Sequence, residues 1–249
     1  IANKESIICA WSIIQKELIK HKTSFIPVDS EHFSIWYGLR QNNIKSIEKI
    51  YLTASGGPFY KLPIEKLKNI KINQALKHPN WKMGKKISID SATMINKIYE
   101  LIEAKNIFNI PYKNIEIILH PKSYVHAIIK FNTGITKIIA HDTTMTIPIF
   151  NTLYFNSNKK IQSKKIDLKI LNDLSFSKAN SKKYPMIKLI KHLPNKNSLY
   201  ETVIVTANDT LVDLFLKKKI KYLNIQKELF RFILSKEFVK FKKIVPENV

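Results

Sequence analysis

Short apolar runs that stop at polar, chemically useful residues, with helical stretches among them, restrict this chain's fold more than any other feature. Ser24-Phe25-Ile26-Pro27-Val28 is followed at once by Asp29-Ser30-Glu31-His32, and Lys49-Ile50-Tyr51-Leu52-Thr53 by Ala54-Ser55-Gly56-Gly57-Pro58. Each reads as a strand carrying functional side chains at its carboxyl end. Further strand-like runs cover 115–119, 124–131 and 135–140, the last two joined by Asn132-Thr133-Gly134 as a hairpin turn. Helical stretches are predicted over 64–69 and 91–104, and Ile8, Trp11, Ile14 and Leu18 make residues 4–22 an amphipathic helix. This alternation implies an α/β fold, a sheet covered by helices, with ligands beyond the carboxyl ends of the strands. Residues 156–165 are rich in Asn, Lys and Ser and read as a connection. Beyond them, 186–191 and 207–219 look helical, the latter from Leu211, Leu214, Phe215 and Lys218. The expected organisation is a catalytic domain over 1–155, a linker over 156–170 and a small, mostly helical domain over 171–249.

Composition excludes several classes. A chain of 249 residues with 45% hydrophobic content can bury a core, and its single cysteine, Cys9, cannot form an internal disulfide. The apolar run at 7–11 is far too short to span a bilayer, so no membrane role is expected. The net charge of +23 invites a nucleic-acid reading. Among 42 basic residues, however, only Arg40 and Arg231 are arginine, and the lysines are spread along the chain. A surface selected for phosphate and base contacts would cluster its charge and use Arg for bidentate bonds, so no nucleic-acid partner is expected. The chain opens with Ile1-Ala2-Asn3-Lys4-Glu5-Ser6, without an initiator Met or signal-peptide pattern, and reads as the interior of a longer protein.

Four constellations could carry chemistry. Asp29 and Glu31, two apart on chain expected to be extended, project to one side and could hold a hard divalent cation. Alone they describe a solvated turn equally well. On the 91–104 helix, Ile95, Ile98, Tyr99 and Ile102 form one face, and Asn96, Lys97 and Glu100 the other, so an amide, an ammonium and a carboxylate point together. An ordinary exposed face with one salt bridge has the same spacing. Asp90 and Ser91, expected to cap this helix, would with Lys97 on the next turn make its start a phosphate site, although capping alone explains Ser91 equally well. Ser55-Gly56-Gly57 offers a hydroxyl and backbone N–H groups open to an anion, or simply a tight turn. Residues 77–84, with His78, Trp81, Met83 and Gly84, read as a lid over a ligand or a loop anchored by its indole. His120, His126 and His141 lack any metal-binding spacing and read as packing residues. No glycine-rich nucleotide loop is present.

Taken together, Ala2-Asn3-Lys4-Glu5-Ser6, Pro27-Val28-Asp29-Ser30-Glu31-His32, Thr53-Ala54-Ser55-Gly56-Gly57-Pro58-Phe59, residues 77–84 and Ile89-Asp90-Ser91-Ala92-Thr93-Met94 with Asn96-Lys97 closely resemble the 1-deoxy-D-xylulose 5-phosphate reductoisomerases. The resemblance is dense to about residue 103, fair to about 150 and thin afterwards. It implies an NADPH-dependent, Mg²⁺- or Mn²⁺-assisted oxidoreductase of isoprenoid biosynthesis. Such an enzyme rearranges the keto-sugar phosphate and reduces the resulting aldehyde to 2-C-methyl-D-erythritol 4-phosphate. By the resemblance, Asp29, Glu31 and Glu100 are metal ligands, and Ser30, Ser55, His78, Trp81, Ser91, Asn96 and Lys97 contact substrate. Asp29, Glu31, Glu100 and His78 are the catalytic set, and Asn3, Lys4, Met83, Gly84 and Met145 lie toward the cofactor.

This chain also departs from the family pattern. Ile98 replaces a family Gly, and Ala140-His141-Asp142-Thr143-Thr144-Met145-Thr146 lacks a cofactor-side Arg. The family's N-terminal NADPH domain would precede Ile1. A metal and sugar-phosphate binding module without redox activity is therefore the alternative. The family implies a homodimer, in a bacterial cytoplasm or, second, a plastid-type organelle.

Overall fold

A computed structural model describes residues 3–40 and 42–247 of the chain. Ile1 and Ala2, the latter the first residue of the Ala2-Asn3-Lys4-Glu5-Ser6 motif, lie outside the described residues. The helices are α1 (Lys4–Cys9), α2 (Trp11–Lys20), α3 (Ser30–Leu39), α4 (Ile72–Ala75), α5 (Lys85–Thr93), α6 (Ile95–Phe108), α7 (Thr146–Leu153), α8 (Leu168–Asn172), α9 (Leu199–Leu216), α10 (Tyr222–Ile233) and α11 (Lys236–Val239). The strands are β1 (Ile47–Ala54), β2 (Ile115–Leu119), β3 (Val125–Phe131), β4 (Thr136–Ala140) and β5 (Ser177–Lys178), in the spatial order β4-β3-β1-β2-β5.

The sheet is mixed. β1 and β2 run parallel, with Ile50 opposite Ile115 and Ala54 opposite Leu119, and the chain between them supplies the crossover helices α4 to α6. β3 is antiparallel to β1, β4 to β3 and β5 to β2. β1 occupies the centre because Ile50, Leu52, Thr53 and Ala54 are all buried, as a strand covered on both faces requires. The hairpin expected at Asn132-Thr133-Gly134 forms, with Gly134 at φ +85°. Behind the sheet, α6 is buried nearly all round and packs against α1, α3 and α5, while α9 packs on α1, α5 and α10.

Three expected elements differ. Residues 23–28 have no regular structure, since Pro27 offers no backbone donor, and Asp29 instead caps α3 by accepting the Glu31 N–H at 3.2 Å. The N-terminal helix is two helices, broken at Ala10, whose φ of −125° is not helical. The 91–104 helix is also two. α5 starts at Lys85 and is supported by an i,i+4 pair between Lys86 and Asp90, and the chain turns at Met94, φ +70°, before α6 begins. Asp90 and Ser91 therefore end one helix rather than cap the next. Apolar periodicity runs through such a break because both helices bury their apolar faces in the same core.

Several elements go beyond these expectations: α3 follows directly on Asp29, and α4, α7, α8, α10, α11 and the short edge strand β5 fall where no periodic pattern is expected. β5 carries residues beyond 170 back to the central sheet beside β2.

Candidate active site

A cavity of about 640 Å³ opens beyond the carboxyl end of β1, where Thr53 and Ala54 give way to Ser55, Gly56 and Gly57. Its walls come from the start of α1, the cap and first turn of α3, the end of α5, one face of α6 and the loop at 77–84. Segments far apart in the chain meet here because the sheet ends at this edge and the helices converge on it.

The acidic wall is built on α3 and α6. Asp29, Glu31 and Glu100 each present a carboxylate oxygen, all within 4.8 Å of one another. The two α3 residues face the same way from a helix cap and first turn, not from extended chain as expected. Lys97 Nζ donates to Glu31 Oε1 at 2.8 Å and contacts Glu100. Lys4 Nζ donates to Asp29 Oδ2 at 3.0 Å and to Glu103 Oε2 at 2.9 Å. Asn96 donates to Glu100 Oε1 at 2.5 Å.

Burial works against every charge in this cluster, and the neighbours decide the outcome. It raises the Glu100 carboxyl, with Glu31 adding repulsion, to about 7. It would raise Asp29 and Glu31 too, but Lys4 holds Asp29 well below its usual range and Lys97 holds Glu31 down. It would lower Lys4, which Asp29 and Glu103 instead hold well above its ordinary value. These are four carboxylates closely compensated by ammonium groups, an arrangement stable only where all partners are held.

The donor set fits a hard divalent cation, which takes oxygen ligands and retains several waters. The polar face of α6, which spacing alone could not distinguish from a solvated face, points into this cavity, with Lys97 and Glu100 both buried. A second trio, Asp29, His32 and Glu103, has equally close ligand atoms. It is already committed, because His32 Nε2 donates to the Glu100 carbonyl at 2.8 Å and Glu103 to Lys4's ammonium acts as acceptor.

Opposite the carboxylates lies a wall of hydroxyls and N–H groups. Ser55 Oγ accepts the Gly57 N–H at 3.1 Å. Gly57, at φ +66°, presses so closely on α5 that a Cβ would lie 3.0 Å from the Ser91 carbonyl oxygen. This contact brings Ser55 and Ser91 to one wall. His78 Nδ1 accepts the Asn80 and Trp81 N–H groups at 3.2 and 3.0 Å. The proton of the neutral ring therefore sits on Nε2, which donates to Ser55 Oγ at 3.1 Å. Burial, with Lys97 adding its charge, pushes His78 down to about 4. Asn80 Nδ2 ties the 77–84 loop to Pro121 O and Ser123 Oγ, both at 2.8 Å, and Trp81 lies edge-on to His126 at 6.3 Å between ring centroids.

All the residues singled out from sequence line this one cavity, from Asn3 and Lys4 through Ser30 and the 77–84 loop to Asn96, Glu100 and Met145. Sequence reasoning missed Glu103, His32 and His126. Glu103 lies one turn beyond Glu100 on the same face of α6, a spacing that could have revealed it. The sequence pattern assigns His126 to packing. It is buried, but it also lines the cavity, and its ring stacks on His141 at 3.8 Å.

The fold is that of an α/β domain whose cavity gathers convergent acidic, basic and hydroxyl groups at the carboxyl edge of a sheet. Residues 25–108 match the family described as 1-deoxy-D-xylulose 5-phosphate reductoisomerase C-terminal domain, and residues 142–245 that described as DXP reductoisomerase C-terminal domain. The chain belongs to the 1-deoxy-D-xylulose 5-phosphate reductoisomerase family.

Among its relatives, the enzyme of that name from Pelagibacter ubique (strain HTCC1062) is 58% identical over all of this chain and 64% of its own length. That from Sulfurihydrogenibium sp. (strain YO3AOP1) is 39% identical over 91% of this chain and 59% of its own. The chain thus spans about three fifths of the curated relatives it matches. Among solved structures, the Zymomonas mobilis enzyme in complex with NADPH superposes with a TM-score of 0.86 at 31% identity, over 99% of this chain and 62% of that one. A DOX-P reductoisomerase with NADPH, fosmidomycin and magnesium gives 0.87 at 32% identity, over 98% and 62%.

Proposed function

We propose that this chain is the metal- and substrate-binding portion of a 1-deoxy-D-xylulose 5-phosphate reductoisomerase, which forms 2-C-methyl-D-erythritol 4-phosphate with NADPH. The observation that carries the reading is the convergence of Asp29, Glu31 and Glu100 within 4.8 Å beside the Ser55 and Ser91 wall. Mg²⁺ or Mn²⁺ held by those three carboxylates would supply Lewis-acid polarisation of the substrate's oxygens, and NADPH the hydride.

The chain's own residues position and shield. Ser55, Ser91, Asn96 and Lys97 bind the phosphate, Lys97 by charge and the others by hydrogen bonds. Ser30 bonds the sugar chain. His78, neutral and with its Nε2 proton directed to Ser55, orients that hydroxyl. Trp81 on the 77–84 loop closes over the substrate and excludes water. Asn3, Lys4, Met83, Gly84 and Met145 form the side that meets the nicotinamide. In this reading 1–155 carries the chemistry, 156–170 connects and 171–249 supports.

The partners are the sugar phosphate and a second copy of the chain. A homodimer is supported by edge strand β4, the turn leading into it and helix α7, which together expose Ile135, Ile138, Ile149 and Leu153. Among the described residues no helix is long and apolar enough to cross a membrane. The bacterial hosts of the relatives support a bacterial cytoplasm.

The test is Glu100→Gln in the full-length gene product. Turnover with Mg²⁺ is expected to be lost while the far-ultraviolet circular dichroism spectrum is unchanged, and retained turnover rejects the metal assignment. Calorimetric titration of the same product with NADPH separates the enzyme from a module that binds metal and sugar phosphate without redox chemistry. Absence of binding would favour the module.

A further inference from the structure

The helical C-terminal portion ties itself to the catalytic portion at the residues that flank the two serines facing the cavity. Tyr184 Oη donates to the Gly56 carbonyl at 2.9 Å, next to Ser55. Asn208 Nδ2, on α9, donates to Asp90 Oδ1 at 2.8 Å, and Tyr222 Oη, at the start of α10, donates to the Ala92 carbonyl at 2.7 Å. Asp90 and Ala92 bracket Ser91. All three donors are buried, Asn208 completely.

The placement is unusual in what it selects. Gly56 and Ala92 lie at the ends of elements, where a helix or strand ladder leaves carbonyls without partners. The segments they belong to are pressed together at Gly57 and Ser91. A shift of either carbonyl therefore moves Ser55 relative to Ser91. Lys183, beside Tyr184, secures the chain just after the glycine pair by donating to the Tyr60 carbonyl and, at 2.8 Å, to that of Leu62. Packing alone would be served by apolar contacts; directional bonds to these atoms set position.

We infer that Tyr184, Asn208 and Tyr222 are positioning residues of the phosphate subsite, holding from the C-terminal portion the two backbone segments that carry Ser55 and Ser91. This rests on the reading of that wall as the phosphate site. None of the three touches the cavity, so their effect reaches the substrate through the serines.

The test compares Tyr184→Phe, Tyr222→Phe and the double variant in the full-length gene product, each change removing one hydroxyl from an otherwise isosteric ring. Three quantities are read: KM and kcat for 1-deoxy-D-xylulose 5-phosphate, the dissociation constant of inorganic phosphate by calorimetry, and that of Mn²⁺. The double variant is expected to raise KM and the phosphate dissociation constant by about five- to tenfold, with kcat and Mn²⁺ binding within about twofold of wild type. A purely structural role would lower the melting temperature and leave the phosphate constant unchanged, or shift phosphate and Mn²⁺ alike, and either result overturns the inference. If the double variant does not fold, the single variants carry the same comparison at about two- to threefold each. If wild type binds phosphate but does not turn over the sugar phosphate, the proposed reaction fails while the phosphate constants still decide this inference.

Discussion

Gly57→Ala tests the architecture where it is tightest. Gly57 has φ +66°, in the left-handed region, where an L residue costs about 1–2 kcal/mol. An added Cβ would also lie 3.0 Å from Ser91 O and 3.2 Å from Ala92 Cα, both backbone atoms of α5 that cannot rotate aside. Forcing that helix back adds about 1–3 kcal/mol of overpacking. Gly134→Ala is the control. Its φ is +85°, yet an added Cβ meets nothing within 4 Å, so it bears only the backbone part.

Urea denaturation followed by circular dichroism should therefore show Gly134→Ala less stable by about 1–2 kcal/mol and Gly57→Ala by about 2–5 kcal/mol, with similar m-values. Because the Gly57 N–H donates to Ser55 Oγ, the displacement carries the hydroxyl with it. KM for the phosphorylated substrate should then rise in Gly57→Ala and not in Gly134→Ala. If the two variants lie within about 0.5 kcal/mol of each other, the close approach of the glycine turn to α5 is wrong, and the serine wall with it.

Other outcomes follow from buried charge. Glu201, in the capping box at the start of α9, is pushed by burial up to about 7 from an ordinary 4.5, so its contribution is fully present below pH 4.5 and is lost as pH rises through 7. Glu201→Gln should remove that pH dependence and be more stable by about 3 kcal/mol at pH 8, measured by urea titration from pH 4 to 8; parallel curves for the two proteins would contradict it. Glu103→Ala leaves Lys4 and His32 buried without one of their carboxylates and should cost about 3–5 kcal/mol and weaken Mn²⁺ binding through Asp29, whereas a loss under 1 kcal/mol would show the cluster to be solvated. In an NMR titration, His78 and His126, both pushed down to about 4 chiefly by burial, should stay neutral above pH 5. His32 is raised to about 9 by Glu103 and Asp29 against the effect of burial, and should stay charged through pH 8; a mid-range transition in any of the three contradicts its surroundings.

Legibility in the sequence followed locality. The Asp29-Ser30-Glu31 run, the Ser55-Gly56-Gly57 turn and the Asn96, Lys97, Glu100 face were readable because each lies within one or two turns of chain, where spacing sets direction. The helix break at Met94 was not, since periodicity continues across a turn that only packing imposes. Glu103 was half-legible, on the right face but without a visible reason to be buried.

Local patterning by itself determined the central strands, the β3–β4 hairpin, the helical character of the second half, and which short segments bear acids, hydroxyls and the loop aromatics. Only the tertiary structure decided that Asp29 and Glu31 stand at a helix cap rather than on a strand. The same is true of the buried, charge-compensated cluster they form with Glu100, and of Tyr184, Asn208 and Tyr222 reaching back to the residues beside Ser55 and Ser91. The physical reason is range: chain stiffness fixes neighbours a few residues apart, whereas contacts across more than a hundred residues exist only once the core has formed and brought buried donors to unpaired carbonyls.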